Sequence, residues 1–244
     1  MKLTKFLQLT VLFLSFETLQ ALPDFHYYFD NLDNSLVAED AGTWGLNMNI
    51  SKASHITAEN PKFGEGSLLI QQGTRAATTG FYTDLSSVPD LNMGTKRLSI
   101  SAWICMVDDS PLNIIQRATL DAGSLGRFLF RIDRKQRLSF SIDTKNAISE
   151  WLDFPPHGEW FHVAVTFQEG EVNFYYNGEL FSTTVLGVSE IAEVSGDGSF
   201  SLGLHGQPGV QFDDVAFMGD TVLTEEEVRQ IFTVGLKQYK DGGK

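Results

Sequence analysis

The chain has 244 residues, with 31 Asp and Glu against 18 Lys and Arg, and its formal net charge at pH 7 is −13. This balance argues against a nucleic-acid partner, because phosphate binding needs clustered Lys and Arg and the sequence has no such cluster. The length suits one sizeable hydrophobic core. No linker rich in Ser, Pro or Gly divides the chain, so we expect a single domain.

The first 21 residues have the pattern of a secretory signal peptide. Lys2 and Lys5 precede a short apolar run at 6–16, and Ala21 comes just before a segment that contains proline. The apolar run is too short to span a bilayer, so we expect no membrane anchor. The domain is then expected to begin at residue 22 and to be secreted and extracellular, or periplasmic in a bacterium.

Strand signals separated by turn residues dominate the rest of the chain. They cover 25–30, 66–71, 81–83, 98–107, 112–116, 127–133, 137–143, 179–185, 199–204 and 210–218. The long signal at 98–107 contains Cys105, the only cysteine, so the chain cannot form an internal disulfide. We expect a buried thiol there, since no basic group nearby in the sequence would lower its pKa.

The strongest signal is a pair of runs at 159–167 and 171–180, both rich in β-branched and aromatic residues. Asn177 and Gly178 supply the positive φ angles that a two-residue hairpin turn needs. Because strand side chains alternate, one set from the first run should face the core: Phe161, Val163, Val165 and Phe167. The opposite set includes His162, expected to be a packed or rim residue. The continuous apolar character predicts burial on both faces.

A helix signal closes the chain. Thr224 and Glu227 form a capping box, and an apolar stripe follows at Val228, Ile231 and Phe232. We expect a short helix that covers one end of the sandwich, and a flexible polar tail at 237–244. The strand spacing, without helical patterns in between, predicts an all-β fold: an antiparallel two-sheet jelly-roll sandwich with a short C-terminal helix.

Short motifs also occur in a particular order along the chain. They are Tyr28-Phe29-Asp30, Asp40-Ala41-Gly42, residues 62–68, Leu98 to Trp103, Trp160 to Thr166, Tyr175 to Leu180, Leu202-Gly203, Phe212 to Val215 and Leu223 to Val228. In this order they resemble a secreted laminin-G-like, concanavalin A-like lectin/glucanase jelly-roll domain, over residues 22–236. The resemblance implies the fold more than the function, because this fold hosts lectins, adhesion modules and glycan-cleaving enzymes.

The resemblance implies a binding module that recognises carbohydrate or glycoprotein. We expect no catalysis, because the alternating Glu-x-Asp-x-(x)-Glu run of β-glucanase relatives is absent, and Glu190 and Glu193 lie in a loop-like segment. None of the histidines lies beside a nucleophile elbow. Two alternatives stay open, an adhesion or extracellular assembly protein with protein partners and a divergent polysaccharide-cleaving enzyme. The oligomeric state is left open.

Sugar sites commonly combine an exposed aromatic ring with hydrogen-bonding side chains from nearby loops. Trp103 and Trp160 are expected to pack inside, which leaves two freer rings and the polar residues of two loops. The candidate ligand-binding residues are Trp44, Trp151, Asp153, His157, His205 and Gln207.

The resemblance further implies a structural calcium ion held by acidic residues of the first and last strands. The matching positions are Asp30 and either Asp213 or Asp214. As neighbours in a strand, Asp213 and Asp214 are expected to point to opposite faces. The alternative is that these three acids only accept hydrogen bonds at turns or strand ends.

Overall fold

Two antiparallel sheets make up most of the computed structural model, which describes residues 23–34, 36–45, 47–50, 54–71, 81–84, 94–119, 125–193, 198–203 and 208–240. The predictions for residues 1–21, for His205 and Gln207, and for residues 241–244 lie outside these ranges. Within the ranges, no helix is both long and apolar enough to cross a bilayer.

The two sheets confirm the predicted all-β sandwich. In spatial order the first sheet contains β14 (Glu179–Val185), β13 (Glu171–Tyr176), β12 (Trp160–Gln168), β7 (Arg97–Cys105), β16 (Gln211–Gly219), β5 (Ser67–Ile70) and β4 (Ser54–Thr57), with β1 (Phe25–Tyr27) also paired to β16. The second contains β11 (Lys145–Trp151), β10 (Arg137–Ile142), β9 (Phe128–Ile132), β8 (Leu112–Thr119), β15 (Gly198–Leu202), β6 (Phe81–Asp84), β3 (Met48–Ile50) and β2 (Val37–Ala38). A 3-10 turn spans Leu32–Asn34, and helix α1 spans Glu225–Lys240.

The predicted hairpin is present and forms part of a three-strand meander. Glu169 (φ 47°) and Gly170 (φ 101°) turn β12 into β13, and Asn177 (φ 48°) and Gly178 (φ 82°) turn β13 into β14. The core-facing set is confirmed, since all four of its side chains are buried in the cluster between the sheets: Phe161, Val163, Val165 and Phe167. Strand β12 therefore anchors the first sheet to the core.

Helix α1 is where the structure differs from the sequence expectation. The capping box forms, with the Glu227 amide donating to Thr224 Oγ1 at 3.2 Å. However, α1 lies on the outer face of the first sheet rather than at an end of the sandwich, and it packs on Ala164, Tyr175, Ala216 and Met218. It also continues through part of the expected tail to Lys240, bending at Gly235 (φ 74°), because Tyr239 is buried against the sheet.

The helix explains why β12 is buried on both faces, as predicted. His162 lies on the outer face with no exposed surface, and its Nε2 is 2.8 Å from Ser101 Oγ. Burial lowers the pKa of His162 to about 4. His162 is thus a packed residue, which is one of the two alternatives that the sequence predicts for it. Cys105 is buried as expected, and burial raises the pKa of its thiol.

Candidate functional site

The predicted ligand residues that the structure describes lie at opposite ends of the sandwich. At one end β7 finishes opposite the start of β12, and β11 finishes at Trp151. At the other end β7 begins, β9 begins at Phe128 and β16 finishes at Gly219, close to Trp44. We call these the Trp151 end and the Trp44 end. Of the four candidates in the described part of the chain, Trp44 is therefore separate from Trp151, Asp153 and His157.

At the Trp151 end the candidate side chains lie on open surface. The Trp151 ring is 64% exposed and stands on an edge strand opposite Arg137. Asp153 and His157 follow in the next loop and are also exposed, and His157 Nε2 lies 3.0 Å from Asp109 Oδ1. Such an arrangement offers a flat aromatic surface with polar neighbours, but it covers little of a small ligand.

At the Trp44 end the two sheets and their loops surround a cavity of about 670 Å³. Its apolar lining consists mainly of Trp44, Phe128 and Phe217. The Phe128 and Phe217 rings are stacked with centroids 5.8 Å apart, and the half-buried Trp44 ring lies 5.9 Å from Phe217. The cavity therefore opens directly onto the aromatic part of the core.

Main-chain contacts with the first strand position Trp44. Its amide donates to the Asp24 carbonyl at 2.9 Å, and the Thr43 amide donates to the Pro23 carbonyl at 3.1 Å. The Asp24 carboxylate accepts from the Gly219 amide at 2.5 Å, which ties the beginning of β1 to the end of β16. The main chain at Trp44 is thus held by the segment that precedes β1, and this segment is itself tied to the end of β16.

Charged side chains form the rim of the cavity. Its exposed members are Lys96, Arg97, Glu169, Glu190, Glu193 and Asp220. Glu190 and Glu193 belong to the segment that follows β14, which a two-way backbone pairing between Thr95 and Ile191 holds to the first sheet at 2.8 and 2.9 Å. Carboxylates placed in this way can accept hydrogen bonds from ligand hydroxyl groups.

Arg117, near the end of β8, completes the lining from the second sheet. Its side chain is 4% exposed, and burial lowers its pKa to about 10. Among the residues that line the cavity, Trp44 is a candidate from the sequence. Arg117 is not, and Glu190 and Glu193 appear there only as loop residues, because the lining residues are spread over distant segments. The two acidic residues Glu190 and Glu193 were the one hint of a rim in the sequence. The sequence does not show which residues lie near them in space.

The three predicted calcium ligands are occupied by protein hydrogen bonds. Asp30 Oδ1 accepts from the Glu65 and Gly66 amides at 2.7 and 3.2 Å. Asp213 Oδ2 accepts from the Lys62 and Phe63 amides at 2.9 and 3.0 Å. These two carboxylates hold opposite ends of one loop, which is the alternative that the sequence left open.

Asp214 also has protein partners on both oxygens. Its Oδ1 lies 2.6 Å from His26 Nε2, and its Oδ2 accepts from the Leu236 amide of α1 at 2.7 Å. In the described part of the chain, no three His, Cys, Asp or Glu side chains are grouped so as to hold a metal ion. These hydrogen bonds give Asp30, Asp213 and Asp214 a role in holding the loop and the helix, and calcium binding by them stays a prediction.

A β-bulge in β16 overturns the expectation that Asp213 and Asp214 point to opposite faces. The pairing of β16 with β7 shifts between Asp213 and Ala216, and Asp214 has φ 48°. Asp213 and Asp214 consequently both turn towards the helix-covered face instead of opposite faces. Burial raises the pKa of Asp213 to about 8, while hydrogen bonds from the Lys62, Phe63 and Asp214 amides act in the opposite direction.

The two stacked antiparallel sheets define a jelly-roll β-sandwich, and the chain is matched by the corresponding family model. Residues 79–229 match the Laminin_G_3 model of the Concanavalin A-like lectin/glucanases superfamily. The chain therefore belongs to this superfamily, as the sequence motifs indicate. No curated protein matches the chain.

Solved structures with the same fold are distant in sequence. The binding domain of botulinum neurotoxin serotype G is 17% identical with a TM-score of 0.63, over 86% of this chain and 50% of that one. Domain 4 of the arabinanase AbnA from Geobacillus stearothermophilus, solved in complex with arabinotriose, is 16% identical with a TM-score of 0.56, over 87% and 98%. Trypanosoma rangeli sialidase, in complex with the inhibitor DANA, is 14% identical with a TM-score of 0.54, over 85% and 32%. The chain thus spans half the length of the neurotoxin binding domain. At identities of 14 to 17%, the likeness to these structures shows a shared fold only.

Proposed function

We propose that this chain is a secreted, non-catalytic glycan-binding module and that the sugar binds in the cavity at the Trp44 end. Membership of the lectin/glucanase superfamily supports a carbohydrate ligand. An arabinanase domain of the same fold was solved with arabinotriose, which adds to this support. The observation that carries the proposal is a cavity lined both by a half-buried tryptophan and by exposed carboxylates.

The physical chemistry of the cavity suits a short oligosaccharide. Its volume of about 670 Å³ falls in the range of roughly 300 to 1,000 Å³ that small-molecule sites occupy. The apolar face of a sugar ring packs on an aromatic ring such as Trp44. Its hydroxyl groups can donate to Glu190 and Glu193, which line the same cavity.

The test uses the two tryptophans as matched variants. A glycan array identifies ligands of the mature chain, and calorimetric titration then compares Trp44→Ala with Trp151→Ala. We expect Trp44→Ala to weaken binding by at least tenfold and Trp151→Ala to leave the affinity within twofold of wild type. The reverse pattern would move the site to the Trp151 end, and no binding across a broad array would contradict the proposal.

Trp44 also contacts Phe25 and Phe217, so its replacement can affect folding. Two further variants therefore accompany it. Trp44→Phe keeps an aromatic ring and should bind more weakly than wild type but more tightly than Trp44→Ala. The exposed pair Glu190→Ala and Glu193→Ala should leave the circular dichroism spectrum unchanged while weakening binding. If this pair binds like wild type, the rim takes no part in recognition.

Polysaccharide cleavage is the second candidate, because several carboxylates line one cavity. Glycoside hydrolysis needs two carboxyl groups roughly 5 to 9.5 Å apart across the sugar. Release of reducing ends from the glycans that bind is the direct measurement. We expect no release above the rate of the Glu190→Ala, Glu193→Ala variant. Release that this variant abolishes would establish an enzyme.

Secretion and calcium dependence belong to the proposal and have separate tests. The mature N terminus of exported protein, determined by mass spectrometry, should lie near residue 22, after the apolar run at 6–16. Calcium dependence is measured by repeating the glycan titration with EDTA and then with added Ca²⁺. Restoration of a lost affinity by Ca²⁺ would support a calcium site, and an unchanged affinity would count against one.

A further inference from the structure

The buried guanidinium of Arg117 joins parts of the cavity wall that come from separate segments. Its Nε donates to the Gly126 carbonyl at 2.6 Å, just before β9, and its Nη2 donates to the Ala192 carbonyl at 3.0 Å. Its Cζ also lies 5.4 Å from the centroid of the Phe128 ring. One side chain of β8 therefore contacts both the floor and a wall of the cavity.

The wall in question is the segment 186–193, which carries Glu190 and Glu193. The first sheet holds this segment through the Leu186 amide, which donates to the Gly170 carbonyl at 2.6 Å, and through the pairing of Thr95 with Ile191. Arg117 adds a contact from the second sheet, at Ala192, between the two glutamates. The position of the rim relative to the aromatic floor thus depends on this side chain.

We infer that Arg117 is a positioning residue for glycan binding, because it fixes the Glu190 to Glu193 wall at a set distance from the aromatic floor. The identity of the ligand rests on the proposed function. The effect of Arg117 on the wall rests on geometry alone. Arg117 acts through the wall and needs no contact with the sugar.

Arginine suits this role better than lysine. The planar guanidinium presents several N–H groups in a rigid fork, so it can serve two carbonyls from different segments while it packs on an aromatic ring. A lysine ammonium is a point charge on a flexible stem. Lys at position 117 can therefore approach one carbonyl but cannot hold both in one geometry.

The experiment compares Arg117→Lys with Arg137→Lys. Arg137 is a matched control, since it donates through Nε and Nη2 to Asp133 near the Trp151 end. We expect Arg117→Lys to weaken the affinity for the glycan found on the array by about tenfold and Arg137→Lys to leave it within twofold. Amide hydrogen exchange of unliganded protein over residues 186–193 should speed up in Arg117→Lys only. Unchanged exchange over this segment would overturn the inference.

A double-mutant cycle separates positioning from a general loss of structure. If Arg117 acts through the wall, Arg117→Lys should change affinity less than twofold once Glu190 and Glu193 are already alanine. A full tenfold loss in that background would show that the effect does not pass through the wall, and would overturn the inference.

Two outcomes keep the inference separate from the proposed function. If no glycan binds wild type but exchange over 186–193 still rises in Arg117→Lys, the positioning role stands and the glycan proposal fails. If Arg117→Lys does not fold, Arg117→Gln replaces it, since a neutral amide avoids burying a misplaced charge. The same exchange measurement then decides the result.

Discussion

The two ends of the sandwich use tryptophan in opposite ways. At the Trp44 end the ring packs against Phe25 and Phe217 and lines a cavity of about 670 Å³. At the Trp151 end the ring stands 64% exposed on an edge strand. Exposure alone would select Trp151 as the sugar platform. The cavity selects Trp44, because a concave site buries more of a small ligand's surface than a single exposed ring does.

The comparison also shows how a cavity can be built from the core itself. The floor at the Trp44 end consists of core side chains, so its shape is set by packing between the sheets. The surface at the Trp151 end consists of loop and edge residues with few such constraints. Binding sites on rigid elements hold their geometry better than those on loops. Changes at the two ends should therefore have very different consequences.

The largest effect is expected from Phe217→Ala. Phe217 is 5% exposed and its centroid lies 5.2 to 5.8 Å from the Phe25, Phe128 and Phe200 rings. Its truncation leaves a void in the core and should lower the free energy of unfolding by about 4 kcal/mol, measured by urea denaturation. Phe217→Leu should cost less than half as much. A loss below about 1 kcal/mol would show that the floor is not part of the packed core.

Acid should destabilise the protein through His162, which lies on the helix-covered face of β12. Burial under α1 lowers the pKa of His162 to about 4, so the folded state binds fewer protons than the unfolded state below the ordinary pKa of 6.5. The contribution of His162 to stability is complete above pH 6.5 and is lost as the pH falls through 4. The resulting loss in the free energy of unfolding is roughly 3 kcal/mol.

Asp213 opposes this trend, because a pKa raised to about 8 makes its contribution greatest in acid. The test is therefore a difference between wild type and His162→Phe, from urea titrations at pH 4, 5, 6 and 7. Wild type should lose about 3 kcal/mol more than the variant on going from pH 7 to pH 4. Parallel curves for the two proteins would contradict the assignment.

A smaller effect is expected where Asp24 secures the Trp44 end. Asp24→Ala removes the acceptor of the Gly219 amide and should cost about 1.5 kcal/mol in the free energy of unfolding. The variant keeps the main-chain carbonyl that accepts from the Trp44 amide, so a fall in glycan affinity would report movement of the segment that the Gly219 contact holds. Asp24→Asn keeps an acceptor oxygen and serves as the control. Equal losses in both variants would show that the charge matters rather than the hydrogen bond.

The smallest effect is expected at the opposite end. Trp151→Ala should change the free energy of unfolding by no more than about 0.5 kcal/mol, because the ring is mostly exposed. The same denaturation series as for Phe217→Ala provides the measurement. A loss above about 2 kcal/mol would mean that Trp151 is covered in solution, and the contrast between the ends would then fail.

Local signals were sufficient for much of the fold. The Asn177-Gly178 turn, the alternating apolar residues of β12 and the Thr224 to Glu227 capping box all form as expected. Each depends on residues close together in the chain, where backbone preference and side-chain period act directly. The placement of α1 could not be predicted in this way, because its apolar stripe does not specify which face it covers.

The amino-acid sequence by itself determined most of the strands, the capped helix, the buried thiol and the superfamily, because these follow from short-range pattern and motif order. The strands β2, β3, β4 and β11 were not predicted. Only the tertiary structure decided that Trp44 and Trp151 lie at opposite ends, that Arg117 reaches Ala192, and that a bulge turns Asp213 and Asp214 to one face. Arg117 and Ala192 are separated by 75 positions along the chain. Contacts at such a separation arise from strand pairing and sheet packing, which no local pattern encodes.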